Sequence, residues 1–170
     1  MTTEQKTTAD LWEMIKDIRF GMFTTKHHHE GAHAGHLHSR PMTTQNKDLV
    51  DDKLWFFMSR QSDPVRDVMD DPTIGLAYAD PDSDTYVSVS GTARVVDDLE
   101  RTRALWNKMA EAWFPGGPED PDLALVVVNI HHAHYWDVKE SKLTQLLIMA
   151  KSAITGKEPK LGESGEIRPQ

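Results

Sequence analysis

One short stretch of this 170-residue chain places side chains where they could do chemistry: Gly35-His36-Leu37-His38-Ser39-Arg40-Pro41-Met42. Read as a strand, it sets His36, His38 and Arg40 on one face and Leu37 and Ser39 on the other. Pro41 holds the backbone extended and removes one ladder donor, so a neighbouring strand cannot pair fully there. A fixed guanidinium beside unpaired backbone groups suits an anionic ligand. The same residues also describe a surface edge strand with one solvated arginine. The stretch alone leaves both readings open.

A second group is the run Lys26-His27-His28-His29-Glu30-Gly31-Ala32-His33-Ala34-Gly35-His36. Imidazoles at this density bind Zn, Ni or Cu, and His33, His36 and His38 are its candidate metal ligands. The competing reading is a solvated loop that captures metal opportunistically, because a functional site also needs hydrogen-bonded supports that fix its ligands. The His36-X-His38 pair also fits a cupin-like metal barrel. The Glu expected about four residues further along is absent, and Met42 and Thr43 stand there. His131, His132 and His134 form a weaker pattern still; two of them share a strand face, but satisfied surface histidines are commoner. No residue stands out as a general acid or base. Ser88 and Ser90 share a strand face, without a paired carboxylate or a Ser/His/Asp spacing.

Composition bounds the possibilities. The length suits one domain, able to bury roughly 70% of its unfolded surface. A net charge of −8 with no Lys/Arg block argues against nonspecific nucleic-acid binding. The absence of cysteine excludes a disulfide framework and thiolate metal sites. The polar N-terminus has no apolar leader, and no apolar run reaches the length of a membrane span. The expectation is a cytoplasmic protein with no nucleic-acid or membrane partner.

The elements that must position these residues follow from periodicity. Residues 1–8 read as a flexible start, and 9–155 as one domain. Leu11, Trp12, Ile15 and Ile18 predict a helix over 9–19, capped by Thr8 or Asp10. Strands are predicted at 20–26 and 35–44, joined by the histidine loop as a long hairpin. The unbroken apolar run 54–58 predicts a strand covered on both faces, one by the domain core and the other by a second subunit. Asp63 as N-cap and Pro64 at the first position open a short helix ending near 70–72. Strands follow at 73–79 and 86–96, with Gly91 marking a bulge or close backbone approach. Asp97 with Glu100 suggests a capping box for a helix whose buried stripe is Leu99, Trp106, Met109 and Trp113. That helix stops at Phe114-Pro115-Gly116-Gly117-Pro118. A sixth strand spans 123–130, running on towards Trp136, and an amphipathic closing helix spans 143–154. Residues 156–170 are expected to be a flexible tail. The fold class is mainly β with peripheral helices, a six-stranded antiparallel Greek-key barrel.

Three segments taken together resemble a known family: His38-Ser39-Arg40-Pro41-Met42, Leu54-Trp55-Phe56-Phe57-Met58-Ser59, and Trp113-Phe114-Pro115-Gly116-Gly117 with Asp120-Pro121-Asp122. With residues 86–92 and Tyr135-Trp136-Asp137, their order and spacing are similar to the general stress protein branch of the pyridoxamine 5′-phosphate oxidase-like proteins, over residues 8–156. The resemblance implies an FMN-binding split β-barrel working as a homodimer, with the flavin between subunits. It implies that Arg40 contacts the flavin phosphate and ribityl chain. Main-chain groups of His38, Ser39, Arg40, Pro41 and Met42, and of Phe56, Phe57, Met58 and Ser59, flank the ring system. It further implies that Ser62 binds phosphate at a helix N-terminus, and that Trp113 reaches the cleft from the partner subunit or packs between subunits.

This chain departs from that pattern in three places. Met58 stands where relatives usually have Thr, and Pro64 where they usually have Lys. The histidine loop replaces a short acidic turn. Losing two charge-assisted contacts predicts weakened FMN binding, by about a hundredfold or more, unless Arg60 or Arg66 compensates. The expected function is therefore an FMN-binding protein, either a flavin-dependent oxidoreductase or a flavin carrier. The alternatives are a cofactor-free split-barrel dimer acting as an interaction module, and a metal-binding barrel using the histidine loop.

Overall fold

The computed structural model describes residues 6–28, 31, 34–138 and 141–169. Seven antiparallel strands form one sheet: β1 (Gly21–Lys26), β2 (Leu37–Met42), β3 (Lys53–Ser59), β4 (Thr73–Asp80), β5 (Thr85–Val96), β6 (Leu123–Asp137) and β7 (Glu163–Ile167). The order is β2-β1-β4-β5-β6-β3, with β7 also paired to β6. Sequential strands β2 and β3 thus stand at opposite ends, which requires a crossover after β2. Gln45 makes that crossing by donating its backbone N–H to the Trp55 carbonyl at 2.8 Å. The six-stranded core matches the barrel expected from the sequence; β7 is additional.

The sheet curls because its inner face must close on itself to exclude water. Phe23 on β1 and Phe56 on β3, neither of them exposed, meet edge to face with centroids 5.4 Å apart. Leu54, Met58, Leu76, Tyr78, Val87, Val89, Val126, Val128 and Ile130 complete this interior, and Leu11 and Ile15 of helix α1 (Thr8–Ile15) plug it. A second apolar cluster lies on the outer face of β3 and β6. There Trp55, Phe57, Leu123, Leu125 and Val127 pack under Leu105, Ala110 and Phe114. Those three come from or just beyond helices α3 (Leu99–Leu105) and α4 (Lys108–Trp113). The apolar run in β3 is therefore covered on both faces, as expected. Its second face is covered by this chain's own helices and not by a second subunit.

Several local expectations change for identifiable reasons. Helix α1 is capped by Thr7, one residue before Thr8 and three before Asp10, the two predicted caps. Asp10 returns a bond to the Thr7 backbone and completes a capping box. The helix ends at Ile15, which leaves Arg19 outside it. Ser62 takes the N-cap position of helix α2 (Asp63–Asp70) without a side-chain capping bond, so Asp63 takes the first helical position and Pro64 the second. The helix predicted from Asp97 starts after Asp98, whose carboxylate accepts from the Arg101 backbone at 2.8 Å. It then breaks, because Asn107 caps a second helix by accepting from the Ala110 N–H at 3.0 Å. The break rotates the stripe: Thr102, Leu105, Ala110 and Phe114 are buried, whereas Leu99, Met109 and Trp113 are exposed. Helix α5 (Lys142–Thr155) closes nothing, as none of its residues is buried. The tail expected to be flexible carries β7, whose Ile167 is 1% exposed in the barrel core.

Phe57 tests the covered outer face. Replacing it with Asp should cost at least about 3 kcal/mol in folding free energy, since it opens a cavity and strands a charge among Leu105, Phe114 and Leu125. Urea denaturation reads this directly. A variant of parental stability that merely dissociates would return this face to an intersubunit role.

Candidate functional site

The two end strands of the sheet frame a cleft of about 560 Å³. Arg40, Pro41 and Met42 reach it from β2, with Thr43 and Gln45 from the crossover. Phe57, Met58 and Ser59 form the opposite wall from β3, and Ser62 and Pro64 stand at the start of α2. Met109, Ala110, Trp113 and Phe114 close one side, and Arg19, Phe20 and Asp122 complete the lining. Its volume falls in the range of small-molecule pockets, and its walls are largely apolar with a few polar groups. A second cleft of about 320 Å³ is lined by Asp10, Glu13, Asp17, Asp80 and Asp137 with Lys6. Those carboxylates disfavour an anion, so the two clefts differ in the ligands they suit.

The structure brings together Arg40, Pro41, Met42, Phe57, Met58, Ser59, Ser62 and Trp113 of the residues expected at the site. It does not bring His38, Ser39 or Phe56 to the cleft walls. Ser39 shares a 2.7 Å hydrogen bond with Thr24, and the His38 ring stacks on His27 at 5.1 Å. Phe56 points into the barrel, because strand alternation places it opposite in sense to Phe57. Trp113 stands on the rim of this chain's own cleft, 79% exposed. Of the metal candidates, His33 lies outside the described residues. His36 accepts the His27 N–H at its carbonyl, and His38 is engaged with His27 as above.

Arg40 is held from behind. Its Nη1 donates to Thr25 Oγ1 at 2.6 Å, and its Nη2 lies 3.9 Å from Asp67 Oδ2. Asp67, on α2, has no exposed surface; it accepts from the Thr25 hydroxyl at 2.6 Å and sits 3.1 Å from His27 Nδ1. These contacts tie β1, β2 and α2 together beneath the cleft. Burial pulls the Arg40 pKa down, while Asp67 and then Asp63 push it back up. An arginine in this setting stays charged at neutral pH. The guanidinium therefore arrives at the cleft with its orientation fixed by buried partners, much as an anion site requires.

The other cations distribute differently from expectation. Arg66 pairs with Asp63 on its own helix. Arg60 donates to the Leu123 carbonyl at 3.0 Å and lies 3.5 Å from Asp97. Neither lines the cleft. Arg19 does, packed over the Phe20 ring at 4.8 Å. Sequence reasoning missed Arg19 because it was assigned to the end of the first helix; the Arg-Phe pair directly ahead of a strand was the available signal. Ser62 Oγ donates to the Ser59 carbonyl at 2.6 Å, and Ser59 Oγ donates to Asp122 at 2.9 Å. Among the described lining residues, the ionisable side chains are Arg19, Arg40 and Asp122.

A mainly antiparallel sheet curled into a half-barrel, with a cleft at its open seam, makes this a split β-barrel protein. The chain belongs to the family described as pyridoxamine 5′-phosphate oxidase like, whose sequence profile matches residues 6–160. The general stress protein branch expected from the residue pattern agrees with its relatives. A candidate general stress protein 26 from Jannaschia sp. CCS1 superposes with a TM-score of 0.71 at 25% identity, covering 94% of this chain and 99% of that one. A general stress FMN/FAD binding protein from Xanthomonas citri is 30% identical with a TM-score of 0.65, covering 79% of this chain and 90% of the other. Protein bli-3 of Neurospora crassa is 28% identical over 169 residues, 95% of this chain and 79% of its own length.

Asp67 carries the testable weight of this arrangement. Asp67→Ala should destabilise the fold by about 3–5 kcal/mol, because it leaves Thr25 without its buried acceptor and the half-buried Arg40 without its counter-charge. Chemical denaturation measures the loss. A change below about 0.5 kcal/mol, the range of an ordinary surface substitution, would mean that the three elements are tied elsewhere.

Proposed function

We propose that this chain binds FMN in the cleft between β2 and β3 and works as a homodimer, as a flavin carrier or a flavin-dependent oxidoreductase. The supporting observation is the convergence of Arg40 from β2, Phe57–Ser59 from β3 and Ser62 from α2 on one apolar-walled cleft. The residues present fit the cofactor in kind. Pro41, Met42, Met58 and Phe114 offer apolar contact for a ring system, and Thr43 offers a hydrogen bond to its polar edge. Arg40 and Arg19 offer positive charge to a phosphate, beside the first turn of α2. When bound, flavin supplies hydride or electron transfer. The chain's own part is to bind, orient and exclude water. The scarcity of ionisable side chains in the described lining agrees with chemistry that resides in the cofactor.

Binding is expected to be weak. Pro64 supplies neither a cation nor an N–H in the first turn of α2, and Met58 supplies no hydroxyl. Arg60 and Arg66 are engaged elsewhere. Arg19 supports the reading as a substitute cation, since it lines the cleft together with Arg40.

Fluorescence titration of FMN and riboflavin separates the contributions. Arg40→Gln should weaken FMN by about ten- to a hundredfold, corresponding to about 1.5–3 kcal/mol, and riboflavin much less. Riboflavin also reports any general damage from disturbing Thr25 and Asp67. Pro64→Lys should tighten FMN selectively. Equal losses for both ligands would place Arg40 away from the phosphate, and no flavin binding by the parent chain would remove the reading.

The exposed rim of Phe20, Met109 and Trp113, together with Leu143, Leu146, Leu147 and Ile154 on α5, supports a second copy covering these faces. Light scattering should give twice the chain mass at micromolar concentration. A monomer at that concentration would count against the dimer while leaving the flavin titration to stand alone.

A further inference from the structure

Strand β6 carries one residue more than β5 where the register shifts. Ile130 stands opposite Gly91 and His132 opposite Ser90, which leaves His131 as the extra residue. Gly91 is needed there, since a Cβ would lie 2.2 Å from the Asn129 carbonyl oxygen. The bulge changes which residues face inward. Val126, Val128 and Ile130 point into the barrel before it, and Ala133 and Tyr135 after it. His132 and His134 are thereby turned together onto the outer face. Strand β7 then brings a carboxylate. Ile167 is locked into the core, so Glu166 turns outward, and the register sets it opposite His134. One ligand atom from each of His132, His134 and Glu166 lies within 4.8 Å of the other two. None of the three lines the flavin cleft.

We propose that His132, His134 and Glu166 form a surface binding site for a divalent transition cation of borderline softness, Zn²⁺ above all. Two imidazole nitrogens and one carboxylate are a donor set that Zn²⁺ takes with a fourth position left to water. Bonds of about 2.0–2.2 Å require ligand atoms roughly 3.5 Å apart, so the side chains need close by no more than about an ångström. Their exposure allows it, and the two rings already stand edge to face with centroids 5.4 Å apart. Backbone placement supplies the rest: two histidines two residues apart on one strand, with the acid directly across on the next. Arg168 currently occupies Glu166 in a fork, at 2.9 and 3.2 Å, with its side chain 71% exposed. A bound cation exchanges for that guanidinium, so the carboxylate is kept ionised in either state. The hydrogen bond from Arg168 holds the Glu166 carboxyl below its usual range against a smaller opposing effect of burial.

The histidine loop is the confounding binder, so the test silences it first. In the full chain, His28, His29, His33, His36 and His38 are replaced by Asn, and Zn²⁺ is titrated by calorimetry. One equivalent should still bind. Adding His134→Ala should lower the affinity at least about tenfold, Glu166→Gln should lower it about tenfold, and Arg168→Gln should raise it a few-fold. Metal-free thermal melts show that each variant is folded, as the substituted side chains contribute nothing to the core. An isotherm unchanged by His134→Ala, or complete loss of binding once the loop is silenced, would overturn the proposal.

Discussion

Strand β6 must satisfy two apolar environments at once, and the rest of the molecule is arranged around that demand. In its first half, Ala124, Val126 and Val128 fill the barrel while Leu123, Leu125 and Val127 face the helices. Strand β3, paired to it in register, carries the same double load with Leu54, Phe56 and Met58 inward and Trp55 and Phe57 outward. Neither strand can be exposed on either face without a large hydrophobic loss, at roughly 1.5–3 kcal/mol for each large side chain. The helices α3 and α4 are therefore obliged to lie against them. That placement brings Met109, Trp113 and Phe114 to the cleft.

The second half of β6 behaves differently because of the bulge at His131. One extra residue moves the inward phase from even to odd positions, so Ala133 and Tyr135 continue the core. The outer face is then polar and aromatic, with His132, His134 and Trp136 on it. The edge vacated beyond β3 is taken by β7. A single strand thus supports the helices that wall the cleft at one end and carries a histidine-bearing surface at the other.

Charge is arranged in two tiers at the cleft. The fully buried Asp67 sits behind Arg40 and is bonded through Thr25, so the arginine is oriented before any ligand arrives. This lowers the entropy cost of recognising an anion, since the side chain is not free to begin with. Asp122 is restrained by Ser59, and Arg66 and Asp63 neutralise each other nearby. Arg19 and Arg40 outnumber Asp122 there, so the ionisable side chains of the described lining sum to +1 in a chain whose overall charge is −8.

The sequence by itself determined six of the seven described strands, because alternation and unbroken apolar runs are local signals that tertiary contacts reinforce. Gly91 announced the bulge, and the His38–Met42, Leu54–Ser59 and Trp113–Asp122 segments carried the family and most of the cleft lining. It misplaced helix caps by a residue, since Thr7, Ser62 and Asp98 compete with adjacent polar residues of similar capping strength. It missed the break at Asn107, and so assigned Leu99, Met109 and Trp113 to a buried face. Only the tertiary structure decided that the outer face of β3 is covered within the chain, that Phe56 and Ser39 turn away from the cleft, and that Arg19 enters it. The reason is that these facts depend on which elements meet across long sequence separations. The same holds for Glu166 opposite His134: a short polar strand has no periodicity to read, and only pairing with β6 and the anchoring of Ile167 give it a register.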